Sequence, residues 1–269
     1  MTLLSVKNLR VTFDTEAGRV EAVRGVSFAL GRERLGIVGE SGSGKTMTGR
    51  SVLRLIRPPG RIEADAMVFD GQDLMRASER EMRALRGKRI AMVMQDPKYS
   101  LNPVMKVGAQ LMEGLRQRDR IGRAEAHDRA IAALEAVQIR DPARVMEAYP
   151  HELSGGMGQR VMIAMMLIPN PDLLIADEPT SALDVTVQAE VLKILDGLVQ
   201  SRGMGLIFIS HDLRVVRALA NEVIVMRNGV TVESGPTAEV FSNPKTDYTR
   251  ALIAAALNLK AAPEGVVNQ

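Results

Sequence analysis

Residues 39–46 read Gly39-Glu40-Ser41-Gly42-Ser43-Gly44-Lys45-Thr46. They match G-x-x-x-x-G-K-[ST], the loop that wraps phosphate groups. That loop works only between a buried strand and the start of a helix, and both flanks are present. The apolar run Leu35-Gly36-Ile37-Val38 precedes it, and a helical pattern follows from Met47 to Ile56, stopped by Pro58-Pro59. Glycines let backbone N–H groups approach phosphate oxygens, and the helix N-terminus adds partial positive charge. Lys45 is expected to reach the β- and γ-phosphates of a nucleoside triphosphate and Thr46 to hold Mg²⁺ through its hydroxyl. A glycine-rich turn without a ligand is the alternative; the fixed positions and both flanks argue against it. A chain built on such a loop is α/β, with its functional side chains at the C-terminal ends of parallel strands.

Strand ends are therefore where chemistry is to be sought. Ile90-Ala91-Met92-Val93-Met94 reads as a buried strand and delivers Gln95. Leu173-Leu174-Ile175-Ala176 delivers Asp177-Glu178, two adjacent carboxylates that are costly at a buried strand end unless they have a task. Asp177 suits the Mg²⁺-holding acid and Glu178 the base that polarises attacking water. Gly205-Leu206-Ile207-Phe208-Ile209 delivers Ser210-His211-Asp212. His211 shares the placement of Gln95 and Glu178, which favours a role near the γ-phosphate over a core histidine. His127 and His151 read as structural.

The remainder supplies scaffold. Alternating apolar residues over 4–13 and 20–30, with a turn at Asp14-Thr15-Glu16-Ala17-Gly18, predict an N-terminal antiparallel hairpin. Phe13 ends its first strand, where spacing suits a core aromatic and an aromatic can also stack on a base. Ala66 to Phe69 is a short strand, and the charged run 76–86 a solvated helix. Residues 108–148 read as helical, with a solvated loop near Arg116, Arg118, Arg120 and Arg123, and belong to an inserted helical subdomain over about 96–160. Leu153-Ser154-Gly155-Gly156-Met157 opens a helix, with Ser154 as N-cap and a second potential anion site behind it. Residues 187–199 form an amphipathic helix, Asn228-Gly229 marks a type I′ hairpin turn, and one helix from Tyr248 to Leu259 sits in the tail.

Composition narrows the function. The 269 residues carry 35 basic and 32 acidic side chains, a net +3 that gives no argument for a nucleic-acid partner. With no cysteine, disulfides, thiolate zinc and iron–sulfur clusters are excluded. No apolar run approaches the ~18 residues of a membrane span, and the N-terminus lacks the pattern of a signal peptide. The expected place is the cytosol, with any membrane attachment made through partners.

These motifs, in this order, resemble the ATP-binding cassette (ABC) ATPases over nearly the whole chain. Residues 39–46 match Walker A and residues 173–177 Walker B, with Glu178 in the position of the catalytic glutamate. Gln95 matches the Q-loop, Ser154-Gly155-Gly156-Met157 the family signature, Ser181-Ala182-Leu183-Asp184 the D-loop and His211 the switch histidine. Phe13 falls where the family places its base-stacking aromatic. The resemblance implies an α/β P-loop NTPase (RecA-like) core with an N-terminal antiparallel β subdomain and an inserted α-helical subdomain. Residues 1–240 would form the ATPase domain and 241–269 a short tail. It implies ATP and Mg²⁺ as ligands, the metal held by Thr46, Gln95 and Asp177, with Lys45, Glu178 and His211 acting on the γ-phosphate.

Finer motifs resemble the peptide/nickel importer branch. They include Gln95-Asp96-Pro97 with Ser100-Leu101-Asn102-Pro103, and Tyr149-Pro150-His151-Glu152 before the signature. Within the branch the match is closest to the oligopeptide and dipeptide permease ATPases, whose tail motif stands here as Tyr248-Thr249-Arg250-Ala251-Leu252. Thr246-Asp247 replaces the usual His-Pro, and Gly158 replaces a common arginine. The resemblance implies a peripheral subunit on the cytoplasmic face of a bacterial inner membrane. Its partners would be a second ATPase, a paralogue rather than a copy, two transmembrane permease subunits, and a periplasmic or lipid-anchored solute-binding protein. ATP would lie between the Walker A loop of one ATPase and the signature of the other. A soluble ABC machine working on nucleic acid or ribosomes, a non-hydrolysing regulatory subunit, and nickel or opine uptake are the competing readings.

Overall fold

The structure is a computed structural model and describes residues 2–16, 18–94, 101–119, 121–181 and 183–258. Gln95, Ala182, residues 96–100 and the end of the tail lie outside the described residues. The chain divides into two compact units: Thr2–Met75 with the residues from Phe208 onward, and Arg76–Ile207.

The chain enters the first unit through β1 (Leu4–Thr15) and β2 (Gly18–Leu30), antiparallel partners as their alternating apolar residues predict. β3 (Arg34–Val38) leads to the phosphate loop and α1 (Lys45–Val52). The helix starts two residues earlier than its apolar pattern suggests and ends before Ile56, because Arg54 turns into the left-handed region at φ 52°. Then come β4 (Gly60–Glu63), β5 (Ala66–Phe69) and β6 (Gln72–Asp73). β1 pairs with β4 and β5 as well as β2, and β5 pairs with β6, all antiparallel. The short strands β4 and β6 escape sequence reading.

The second unit holds α2 (Glu79–Leu85), β7 (Ile90–Val93), α3 (Val107–Asp119), α4 (Arg123–Ala136), α5 (Pro142–Glu147), α6 (Gly155–Leu167), β8 (Leu173–Asp177) and α7 (Val185–Arg202). The stretch 108–148 is therefore three helices, the first two parted in the arginine-bearing stretch where a loop is expected. Gly122, extended at φ −68° and ψ 164°, starts α4. Gln138 at φ 58° ends that path, and Asp141 caps α5 ahead of Pro142. β7 and β8 are parallel and wholly buried. Arg89 pairs with Asp172 at 2.7 Å below them.

β9 (Gly205–Ile209) begins beside β8, where Gly205 N–H donates to Asp172 O at 2.9 Å. Its far end belongs to the first unit, where Ser210 N–H donates to Ile37 O at 3.2 Å. That unit is completed by α8 (Leu213–Leu219), β10 (Glu222–Arg227), β11 (Val230–Pro236), α9 (Thr237–Ser242) and α10 (Asp247–Asn258). β10 is parallel to β3 and antiparallel to β11. Asn228 and Gly229 both have positive φ, 49° and 82°, as a type I′ turn requires. No helix among the described residues is long and apolar enough to cross a membrane.

Candidate functional site

The phosphate loop is assembled by close backbone approach. A β-carbon on Gly39 would lie 2.1 Å from Met226 O, and one on Gly44 would lie 2.5 Å from Ala22 O. Both residues also sit at positive φ, 148° and 100°, so glycine is required twice over. Gly229 N–H donates to Ser43 O at 3.0 Å, so the turn between β10 and β11 pins the loop from outside. Inside it, Lys45 is buried and its Nζ donates to Gly39 O and Glu40 O, each at 2.8 Å. An ammonium so held is fixed in the concavity of the loop and is desolvated at low cost because carbonyls replace its water.

The loop fits a phosphate ligand on two observations. Ser43 Oγ is buried and has no hydrogen-bond partner among the described residues, the condition of a hydroxyl kept for a ligand. The N-cap of α1 is Gly44, with no side-chain cap, so no side chain competes with an anion at that helix start. Glu40, Ser41 and Gly42 lie on the exposed rim, and Thr46 is half-buried in the first turn. Phe13 is half-buried, its ring edge against Gly60, where an added β-carbon would lie 2.6 Å away. His211 is exposed beside the buried Ser210. Ser210 Oγ accepts from Asp212 N–H at 3.0 Å and shapes this turn. The Arg214 guanidinium bonds the Asp212 carboxyl and, against the cost of burial, holds it below its ordinary value.

In the second unit, Asp177 is 4 % exposed at the end of β8. Glu178 follows, half-buried and in the left-handed region at φ 47°. A non-glycine residue there carries backbone strain, a condition that clusters at functional sites. Its carbonyl accepts from Ser181 N–H at 3.3 Å and from Ser181 Oγ at 3.2 Å, which holds the turn. The Asp177 carboxylate is an oxygen donor of the hard character that Mg²⁺ takes.

The signature forms as its residues predict: Ser154 is the N-cap of α6 and its Oγ accepts from Met157 N–H at 3.3 Å. A β-carbon on Gly156 would lie 2.5 Å from Val187 Cγ1 on α7. Asp184 has a structural task the sequence reading left out: it caps α7, accepting from Val187 N–H at 3.0 Å. A cleft of about 840 Å³ opens here, lined by Ser154, Gly155, Gly156, Met157, Leu183 and Asp184 among others. Arg160 joins α6 to α7 through Glu190 at 2.5 Å.

The family model described as ABC transporter matches residues 23–181. This chain belongs to the ABC transporter family. It is 48 % identical over 264 residues to the oligopeptide transport ATP-binding protein OppD of Bacillus subtilis, covering 97 % of this chain and 74 % of that protein. It is 46 % identical over 256 residues to the dipeptide transport ATP-binding protein DppD of Escherichia coli, covering 95 % and 78 %. Among solved structures, the ABC chain is similar to the cassette MJ0796 in a dimeric post-hydrolysis state bound to ADP and Pi. The TM-score is 0.77 at 25 % identity, over 87 % of this chain and 98 % of that one. It is similar as well to cbiO1 of Clostridium perfringens, part of the transporter complex cbiONQ, with TM-score 0.76 at 25 % identity over 96 % and 95 %. The ABC cassette fold, with an antiparallel β part beside parallel strands and helices, is thus established.

Residues that sequence reasoning did not assign to the site meet the loop from a distance: Ala22, Met226, Gly229 and Tyr248, whose hydroxyl accepts from Glu40 N–H at 3.3 Å. Only Asn228-Gly229 carried a local signal, its turn chemistry. The rest act through backbone atoms or a single hydroxyl.

Proposed function

We propose that this ABC chain is the ATP-hydrolysing subunit that powers a bacterial importer of oligopeptides or dipeptides. The observation that carries the ATP reading is the preformed loop, with Lys45 buried on two carbonyls and Ser43 Oγ without a partner among the described residues. Peptide cargo is supported by near-full-length identity to ATP-binding proteins named for oligopeptide and dipeptide transport.

The roles divide as follows. The loop 39–46 binds the phosphates through its N–H groups, and Lys45 supplies a fixed positive charge to the β- and γ-phosphates. Phe13 stacks on the base. Thr46, Asp177 and Gln95 would hold Mg²⁺, which would supply positive charge to offset that of the phosphates. Glu178 accepts a proton from the attacking water. His211 donates to the γ-phosphate as charge builds on it. Ser154, Gly155, Gly156 and Met157, with the D-loop residues 181–184, serve the ATP of a partner cassette. That arrangement makes closure of two cassettes depend on nucleotide.

In this reading residues 1–240 form the ATPase domain, with a helical subdomain over about 96–160, and 241–269 a tail. The partners are a paralogous ATPase, two permease subunits and a solute-binding protein, at the cytoplasmic face of the inner membrane. Affinity capture of the tagged chain from gently solubilised membranes of its native host tests this. Two multi-spanning proteins, a second ATPase and a peptide-binding protein are the expected companions. Ribosomal or DNA-repair proteins in their place, with no membrane subunit, would overturn the importer.

A further inference from the structure

The phosphate loop has a brace that no loop motif contains. Glu233 on β11 is 7 % exposed, and its carboxylate accepts from Lys245 N–H at 2.8 Å and from Thr246 N–H and Oγ at 3.2 Å each. Thr246 in turn accepts from Thr249 N–H at 3.1 Å, and the Thr249 side chain is fully buried. These bonds fix the first turn of α10. Tyr248 stands on that turn. The Arg227 guanidinium lies over its ring, 4.7 Å from the centroid. Its hydroxyl accepts a hydrogen bond from Glu40 N–H at 3.3 Å.

The peptide that carries Glu40 N–H is the Gly39–Glu40 peptide, whose carbonyl is Gly39 O. That same carbonyl accepts from Lys45 Nζ at 2.8 Å. A trans peptide is planar and rigid, with N–H and C=O on opposite edges. One rigid plate is thus held at one edge by Lys45 and at the other by Tyr248. It needs holding: Gly39 has φ 148°, open to glycine alone, and glycine has the most freedom to lose.

We propose that Tyr248 is a positioning residue for nucleotide binding, its hydroxyl bracing the Gly39–Glu40 peptide so that Lys45 and the loop N–H groups are preset for phosphate. The tail helix thereby becomes part of the nucleotide site's support without touching nucleotide. Burial raises the Tyr248 phenol above its ordinary value, so it stays protonated and neutral at physiological pH. The proposal rests on the reading of residues 39–46 as the ATP loop.

The test uses the full-length chain. Affinity is measured with a fluorescent ATP analogue, and KM and kcat by steady-state ATP hydrolysis, for wild type and for Tyr248→Phe, Tyr248→Ala and Lys45→Ala. Phe keeps the ring, so folding is preserved, and melting temperature without nucleotide is measured alongside. Removing one such hydrogen bond is expected to raise Kd and KM by about 3- to 10-fold in Tyr248→Phe, with kcat within about twofold and the melting point unmoved. Tyr248→Ala should bind at least as weakly as Tyr248→Phe. Wild-type affinity and KM in Tyr248→Phe would overturn the brace, including the case where only Tyr248→Ala is weakened, since ring packing alone would then act. Tight binding by Lys45→Ala would instead remove the ATP-loop reading itself, so the two failures are distinguishable.

Discussion

Lys45 Nζ and Gly39 O are 2.8 Å apart, a hydrogen bond from the seventh residue of the loop back to its first glycine. The bond stores the lysine inside the loop before any ligand arrives. Its charge is paired with carbonyl dipoles that an arriving phosphate can outcompete. Lys45→Ala leaves no cation in the loop, and removing a charge-assisted contact to a buried phosphate costs most of the binding. ATP affinity is expected to fall by at least about 100-fold, as read by isothermal calorimetry. Retained tight binding would show that the loop is not the phosphate site.

Gly156 carries a steric prediction. An added β-carbon would lie 2.5 Å from Val187 Cγ1, and valine on a helix has little rotamer freedom with which to yield. Gly156→Ala gains up to about 1 kcal/mol in helix propensity but pays overpacking of about 1–3 kcal/mol, so the clash wins. The variant should melt several degrees lower, and adding Val187→Ala should restore the melting point. A double variant no more stable than Gly156→Ala would refute the contact.

Glu233 makes tail docking pH-dependent. Burial opposes ionisation of its carboxyl, and hydrogen bonds from Lys245, Thr249 and Thr246 outweigh it, so the pKa lies below its ordinary value of 4.5. A depressed carboxylate contributes stability that is complete above the unfolded value and is lost as pH falls through the folded one. Glu233→Gln should therefore be less stable than wild type at neutral pH. The gap in melting temperature should hold from pH 7 to about pH 5 and narrow below it. A gap that stays constant into acid would contradict the charged anchor.

Much of this was readable in advance because the site is local. The loop 39–46 and the Ser154 cap each lie in a few consecutive residues whose types declare their backbone, and Asp177 and Glu178 stand where a short apolar run ends. Tyr248 and Glu40 were not, since they are 208 residues apart and meet through a backbone N–H that any residue supplies. The left-handed turn at Glu178 was hidden for the opposite reason: glutamate gives no hint of φ 47°. In the scaffold, β6 spans two residues and α9 six, too short to display a period. The break between α3 and α4 did carry a signal, the arginines from Arg116 to Arg123 that read as a solvated loop.

Glu178, proposed as the base, bears the central claim most directly, because in that role it would join hydrolysis to transport. Uptake of a labelled dipeptide and a labelled pentapeptide is measured in the native host, with Glu178→Gln in place of the wild-type chain. Loss of a catalytic base lowers hydrolysis by about 10²- to 10⁴-fold, so uptake should fall to the background of a deletion strain while the variant still sediments with membranes. Wild-type peptide uptake by cells whose only copy carries Glu178→Gln would contradict the account.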